Sequence, residues 1–201
     1  MLKIVSAILT VGLMSVSGAV SAQAPNQYVN VSPPQSTEPG KVEVLEFFSY
    51  GCPHCAIVDP MLTEWKKTLP SDVVMYSVPV AFNAAMKPLQ KLFYALKAID
   101  RPDLHTKVFE AIHQEKKRIF KQPAILDWAE TQGVDPDELA AVMDSFGVNS
   151  KAQRADQLAK AYAIRGTPSL AVDGRYLTSP SEAGGYQEMI DVADSLVKRS
   201  Q

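Results

Sequence analysis

The chain contains two cysteines, Cys52 and Cys55, with a proline and a histidine between them. Cysteines at this spacing can form a redox-active disulfide, supply two of the four ligands of a zinc ion, or act only as a structural staple. A staple that closes so short a ring stabilises a fold by only about 2 kcal/mol. A zinc site would need further ligands, but there is no second cysteine pair and the other histidines, His105 and His113, are remote in sequence. The spacing therefore favours redox chemistry, with no metal site and no bound cofactor.

The residues around this pair predict a strand that leads into a helix. Val42 to Ser49 is a nearly continuous apolar run of strand length, typical of a strand buried on both faces of an α/β sheet. Pro53 suits the first position of a helix, where its missing N–H would have no partner. Cys52 then lies at the helix N-terminus, where free N–H groups and the helix dipole stabilise a thiolate. Cys55, one turn further on, should be more buried and act as the resolving thiol.

The N-terminal segment predicts export. One positive charge at Lys3 precedes an apolar run from Ile4 to Val20, and Val20-Ser21-Ala22 provides the small residues that a signal peptidase requires. The alternative is an uncleaved membrane anchor, but serines and glycines interrupt the run and it is shorter than the roughly 20 apolar residues of a spanning helix. We expect cleavage after Ala22 and an oxidising compartment.

The composition excludes several other classes of protein. With 46% hydrophobic residues and 21% charged residues among 201, the chain is not intrinsically disordered. Twenty basic and 22 acidic residues leave a net charge of −2, which gives no basis for binding nucleic acid. Two cysteines are too few for a disulfide scaffold.

The order of predicted elements indicates an α/β domain that is interrupted by a helical block. Residues 1–22 are the signal peptide, residues 23–82 and 149–201 form the α/β domain, and residues 83–148 form an all-helical insertion. The remaining predicted strands are an edge strand at Tyr28–Val31, Val73–Pro79, Ser169–Val172 and Arg175–Leu177, the last two joined by a turn at Asp173-Gly174. The predicted helices include Pro123–Gln132, a helix that Asp135 caps, Ala152–Tyr162 and Tyr186–Val197.

The segment Glu46-Phe47-Phe48-Ser49-Tyr50-Gly51-Cys52-Pro53-His54-Cys55 resembles the active-site segment of DsbA-type periplasmic thiol–disulfide oxidoreductases. Arg165-Gly166-Thr167-Pro168 resembles their cis-proline loop, and Pro60 resembles the kink proline of their active-site helix. The resemblance extends over essentially all of the chain after Ala22. It implies a thioredoxin fold with an inserted all-helical domain, which donates a Cys52–Cys55 disulfide to reduced, newly exported polypeptides. A DsbB-like quinone-reducing oxidase of the inner membrane would reoxidise it.

The same resemblance assigns roles to individual residues. Pro53 and His54 would tune the Cys52 sulfur, and Thr167 with cis-Pro168 would bind the substrate strand. Glu46, among apolar neighbours, would be a buried acid that relays protons to Cys55. Two departures from the family pattern stand out. No lysine occurs in Met75–Pro79, where the best-known pattern has one opposite this acid, and Thr167 occupies a position that is often valine in strongly oxidising members.

Other functions are possible for the same pattern. A disulfide isomerase or reductase would usually need a dimerisation domain, for which the chain has no spare length, so we expect a monomer. A non-catalytic peptide-binding chaperone would not need the cysteines, and a copper or zinc carrier would retain metal. His105 and His113 are expected to be solvated helix residues, and Phe82, Met86 and Tyr186 are candidates for the lining of an apolar substrate groove.

Overall fold

The structure, a computed structural model, describes residues 27–201. The predicted signal peptide and its cleavage point after Ala22 lie outside the described residues. Within the described range, no helix is both long enough and apolar enough to cross a membrane.

The strands found in residues 27–201 form one mixed sheet. They are β1 (Val29–Asn30), β2 (Val42–Phe48), β3 (Val73–Pro79), β4 (Ser169–Val172) and β5 (Tyr176–Thr178). Their order across the sheet is β1-β5-β4-β2-β3; β2 and β3 are parallel, and the other neighbouring pairs are antiparallel. Strand β2 is the apolar strand predicted from the sequence, and all its residues except Glu43 are buried.

Helices cover both faces of the sheet. On one face, α1 (Pro53–Thr68) and α8 (Tyr186–Ser200) pack against Val42 and Val44 of β2. On the other face, α6 (Phe146–Ala161) packs against Leu45 and Phe47 of the same strand. Because side chains alternate along a strand, one apolar strand supplies both cores. Glu46, two residues after Val44, therefore lies on the α1 side of the sheet.

A helical block follows β3. It contains α2 (Lys87–Ala98), α3 (Leu104–His113), α4 (Gln122–Thr131) and α5 (Pro136–Asp144), and a short α7 (Pro180–Ala183) comes later, after β5. The buried residues of the block share one core with Phe48, Tyr50 and Cys55. The insertion therefore packs directly against the segment that carries the cysteines.

Helix α6 begins earlier than the sequence predicts. Instead of starting near Ala152, it begins at Phe146, where the Ser145 hydroxyl accepts a hydrogen bond from the N–H of Val148. The predicted division at residues 148 and 149 thus falls inside this helix. The division of the chain into domains remains a prediction.

Two local predictions are confirmed. The Asp135 carboxylate accepts hydrogen bonds from the N–H groups of Asp137 and Glu138 at the start of α5. Gly174, in the turn between β4 and β5, has a φ of +65°, and a Cβ at this position would collide with the carbonyl oxygen of Gln35. Only glycine both adopts this positive φ without strain and leaves room for the Gln35 oxygen.

Candidate active site

Cys52 is the residue at which helix α1 begins. It is the N-cap, with an extended backbone, and Pro53 follows in the first turn. Its N–H donates to the carbonyl of Ser49 at 3.0 Å, and its own carbonyl accepts from the N–H of Ala56 at 3.3 Å. The sulfur therefore lies at the positive end of the helix dipole, as predicted.

The surroundings of Cys52 stabilise its thiolate. The largest contribution is a hydrogen bond from the Cys55 thiol, and the Thr167 side chain and the N–H groups of Cys55 and His54 add to it, against a smaller cost of burial. Together they lower the pKa of Cys52 to about 5. The thiolate is therefore the predominant form near neutral pH, and it is the reactive form of a cysteine.

Cys55 has the opposite properties. It is fully buried, whereas Cys52 is half-buried, and both thiols are free in this structure. Burial raises the pKa of Cys55 well above its ordinary value, and the adjacent Cys52 raises it further. Cys52 is thus a partly accessible thiolate, whereas Cys55 is a buried, protonated thiol.

The loop before β4 lies directly over the Cys52 sulfur. The Cys52 thiol donates to the carbonyl oxygen of Thr167 at 3.2 Å, and the Thr167–Pro168 peptide bond is cis, as the family resemblance implies. A carbonyl acceptor favours the protonated thiol, so this contact opposes the donors that favour the thiolate. The pKa of about 5 shows that the donors prevail.

The His54 side chain contacts helix α8. Its Nδ1 is hydrogen-bonded to the hydroxyl of Tyr186, and the two rings lie 6.0 Å apart between centroids. Both side chains, with Thr167 and Pro168, line a groove of about 830 Å³ that extends to β1. Of the three residues expected to line a groove, Tyr186 does so, whereas Phe82 and Met86 are not among the lining residues of this groove. The His54 side chain lines that groove, while its backbone N–H helps to lower the pKa of Cys52.

Glu46 is buried, with 5% of its surface exposed. In the register of β2 and β3 it lies opposite Ser77, whose hydroxyl donates to Oε2 at 2.7 Å. Burial raises the pKa of Glu46, and the Ser77 hydrogen bond offsets this in part. Among residues 27–201, no hydrogen bond joins Glu46 to either cysteine. The partner of this carboxylate is thus the Ser77 hydroxyl rather than the lysine of the best-known family pattern.

The expectation that His105 and His113 are solvated is wrong. Nε2 of His105 lies 3.1 Å from Oδ1 of Asp59, and Nε2 of His113 lies 2.7 Å from the carbonyl oxygen of Tyr50. Both rings are half-buried because α3 turns this side towards α1 and the cysteine loop. A signal was present in the sequence, since His105 precedes the buried Val108 and Phe109 by three and four positions and so shares a helix face with them.

Comparison with known proteins finds the family that the sequence resembles. Residues 66–196 match the family described as DSBA-like thioredoxin domain. The chain is 55% identical over 185 residues to the thiol:disulfide interchange protein DsbA of Bordetella parapertussis, a match that covers 91% of this chain and 88% of the relative. It is 34% identical over 180 residues to the protein of the same name from Pseudomonas aeruginosa, with 89% and 85% covered.

The chain belongs to the DSBA-like thioredoxin family. The crystal structure of Pseudomonas aeruginosa DsbA superposes with a TM-score of 0.82 at 34% identity, covering 87% of this chain and 92% of that one. The structure of NmDsbA1 from N. meningitidis gives a TM-score of 0.76 at 27% identity, covering 87% and 91%. These matches confirm the α/β thioredoxin fold with a helical insertion. This DsbA-type protein is a disulfide-donating thiol–disulfide oxidoreductase, and its substrates are proteins with reduced cysteines.

Proposed function

We propose that Cys52 and Cys55 form the redox-active disulfide of this oxidoreductase. The supporting observation is the asymmetry of the two sulfurs. Cys52 is half-buried at a helix N-terminus with a pKa of about 5, and Cys55 is fully buried with a raised pKa. Such a pair favours the reduced state of the enzyme, because a stable Cys52 thiolate is a good leaving group when a substrate takes over the disulfide.

The oxidised enzyme transfers its disulfide in two exchanges. A substrate thiolate attacks the Cys52 sulfur, the Cys52–Cys55 bond breaks, and Cys55 leaves and takes up a proton. A second substrate thiolate then attacks the substrate sulfur of this mixed disulfide. The substrate gains a disulfide, and Cys52 leaves as a thiolate. Two electrons pass from the substrate to the enzyme, which ends as a dithiol.

The surrounding residues position the reactants. Thr167 and cis-Pro168, which lie over Cys52, offer the backbone edge with which a substrate strand pairs. Pro53 starts the helix without a competing N–H, and the backbone of His54 stabilises the thiolate. Glu46 exchanges the proton of Cys55, and burial raises the pKa of this carboxyl above its ordinary value.

The cellular setting follows from the N-terminal segment and the chemistry. We place the protein in the periplasm, as a monomer, after cleavage of the signal peptide following Ala22. Its substrates there are newly exported polypeptides, which emerge with reduced cysteines. Continued turnover requires an acceptor for two electrons and two protons, and a DsbB-like quinone-reducing oxidase of the inner membrane is the proposed partner.

Cysteine variants test this assignment. Cys52→Ala should abolish the oxidation of a reduced, unfolded model protein, and Cys55→Ala should accumulate a stable mixed disulfide through Cys52. A non-catalytic chaperone would instead keep its activity in the Cys52→Ala variant. Equilibration with glutathione measures the redox poise, and a potential as reducing as that of thioredoxin would replace the oxidase assignment with a reductase.

A further inference from the structure

Arg165 lies in the loop that carries the cis-proline, two residues before Thr167. The Thr167 carbonyl oxygen is 3.2 Å from the Cys52 sulfur. The Ser169 hydroxyl donates to the carbonyl oxygen of Gly166 at 2.9 Å, which fixes the backbone of this loop. Two residues of chain span at most about 7 Å. The long side chain of Arg165 therefore starts close to the point at which a substrate cysteine would meet Cys52.

Arg165 is exposed and lines the groove of about 830 Å³ beside the active site. Much of the rest of the lining is apolar, including Val31, Leu177 and Pro168. Binding grooves of this kind take their specificity from a small number of polar groups in a mainly apolar lining. The charged side chains of the lining therefore influence which substrate segments the groove favours.

The other acid and base in the lining already have partners in the protein. In residues 27–201, they are the Glu182 carboxylate and the His54 imidazole. Glu182 is hydrogen-bonded to the Ser179 hydroxyl at the start of α7. His54 is hydrogen-bonded to the Tyr186 hydroxyl. Arg165 differs from both, because within the described part of the chain its guanidinium forms no ion pair. It is free to pair with a carboxylate that a substrate brings.

The chemistry of the guanidinium identifies the group that it would bind. Its planar array of N–H groups matches the two oxygens of a carboxylate and can donate to both at once. In a polypeptide substrate, such carboxylates belong to the side chains of aspartate and glutamate. A lysine or arginine at the same place would be repelled and would leave the cation unpaired. Arg165 can therefore discriminate in both directions.

We propose that Arg165 determines substrate specificity: it favours segments of reduced polypeptides that carry an aspartate or glutamate within two residues of the cysteine that attacks Cys52. The proposal rests on the proposed disulfide exchange at Cys52 and on the Thr167–Pro168 edge as the docking site. The guanidinium binds the substrate carboxylate while the substrate thiolate attacks the Cys52 sulfur and Cys55 leaves. Arg165 takes no part in the making or breaking of bonds. It increases the fraction of encounters in which the segment is bound in the reactive position.

Three reduced peptides test this specificity. Each contains one cysteine, and the residues two positions before it and two positions after it are both glutamate, both glutamine or both lysine. The oxidised enzyme is mixed with an excess of one peptide at low ionic strength. Loss of the enzyme disulfide is followed by acid quenching, alkylation and mass spectrometry, which gives a second-order rate constant for each peptide.

The rate constant for the glutamate peptide, divided by that for the glutamine peptide, should be about two- to fivefold larger in the wild type than in Arg165→Gln, as expected for an exposed ion pair. The corresponding ratio for the lysine peptide should be smaller in the wild type by a similar factor. A carboxylate near the cysteine also raises the pKa of the peptide thiol. This effect is the same for both enzymes, so it cancels when the ratios are compared.

Arg175→Gln is the matched control. Arg175 is another exposed arginine, but it pairs with Asp173 at 3.6 Å in the turn before β5 and is not part of the groove lining. Its replacement changes the net charge equally, and its peptide ratios should equal those of the wild type. Arg165→Lys keeps the positive charge and should retain a preference for the glutamate peptide, which added salt should weaken. These two measurements test the proposal even if Arg165→Gln does not fold.

Equal peptide ratios in the wild type and in Arg165→Gln would overturn the proposal. An equal shift of the ratios in Arg175→Gln would also overturn it, because the preference would then come from the net charge. Failure of the proposed function has a different signature: Cys52→Ala would oxidise all three peptides as the wild type does. If only the specificity is wrong, Cys52→Ala is inactive and the ratios do not depend on Arg165.

Discussion

Reduction of the proposed Cys52–Cys55 disulfide should change the stability of the fold in a pH-dependent way, because only the reduced form contains the Cys52 thiolate. The folded pKa of Cys52 is about 5, and an unfolded cysteine has a pKa of about 8.5. A lowered folded pKa gives stability that is complete above the unfolded pKa and is lost as the pH falls through the folded pKa. The advantage of the reduced form should therefore grow from about pH 5 upward and vanish near pH 4.

The magnitude follows from this interval. Near pH 7 the Cys52 thiol of the unfolded chain is protonated, so only the interval between the folded pKa of about 5 and pH 7 contributes to stability. These roughly two pH units, at about 1.36 kcal/mol each, stabilise the reduced fold by about 2.7 kcal/mol. Because Cys52 is only half-buried, solvent screening reduces this to about 1–2 kcal/mol. Closure of the short disulfide ring favours the oxidised fold by about 2 kcal/mol. Cys55 adds nothing near pH 7, since its raised pKa keeps it protonated in both the folded and the unfolded state.

The two forms should therefore be nearly equally stable near pH 7, and the oxidised form should be the more stable by about 2 kcal/mol near pH 4. For a chain of this size the difference at pH 4 corresponds to about 4–8 °C in Tm. Thermal unfolding of both forms across this range measures it, with Cys52→Ser in reducing buffer as the control that lacks the thiolate. A stability difference that stays constant from pH 4 to pH 7 would refute the reasoning.

Three further outcomes are expected. In the reduced protein near pH 6, iodoacetamide should alkylate Cys52 rapidly and Cys55 hardly at all, as mass spectrometry would show; equal rates would contradict the assigned pKa values. Glu46→Gln can still accept the Ser77 hydrogen bond, so it should keep the fold but slow the resolution of mixed disulfides by Cys55; an unchanged pH profile would remove Glu46 from the reaction. Asp135→Ala removes the cap of α5 and should cost about 1 kcal/mol in denaturant unfolding without altering the oxidation rate, whereas a loss of activity would show that this helix end communicates with the active site.

The features that the sequence predicted correctly are local. The apolar run of β2, the helix start at Pro53 and the cap at Asp135 each depend on residues within one turn or one strand of each other. The difference in burial between Cys52 and Cys55 is also local, because one helical turn separates an exposed helix end from its buried side. Backbone geometry alone determines these local features, without contacts from distant segments of the chain.

Contacts between distant segments could not be predicted from the residues alone. Thr167 lies 115 positions from Cys52, and Tyr186 lies 132 positions from His54. The family resemblance placed the first pair together, but no local pattern pointed to the second. Ser77 meets Glu46 only because the register of β2 and β3 sets them opposite each other, and a shift by one residue would turn one of the two side chains to the other face of the sheet.

The histidines of α3 show why tertiary structure decides such cases. A polar residue beside an apolar stripe of a helix is solvated or buried depending on how far the neighbouring helix covers that stripe. Here α1 and the cysteine loop cover it, so His105 meets the acid Asp59 and His113 meets a carbonyl oxygen. The sequence by itself determined the two cysteines and the helix that activates one of them. Only the packing of the insertion against that helix decided which charges surround the other, because each buried polar group must find a partner from whatever element is docked beside it.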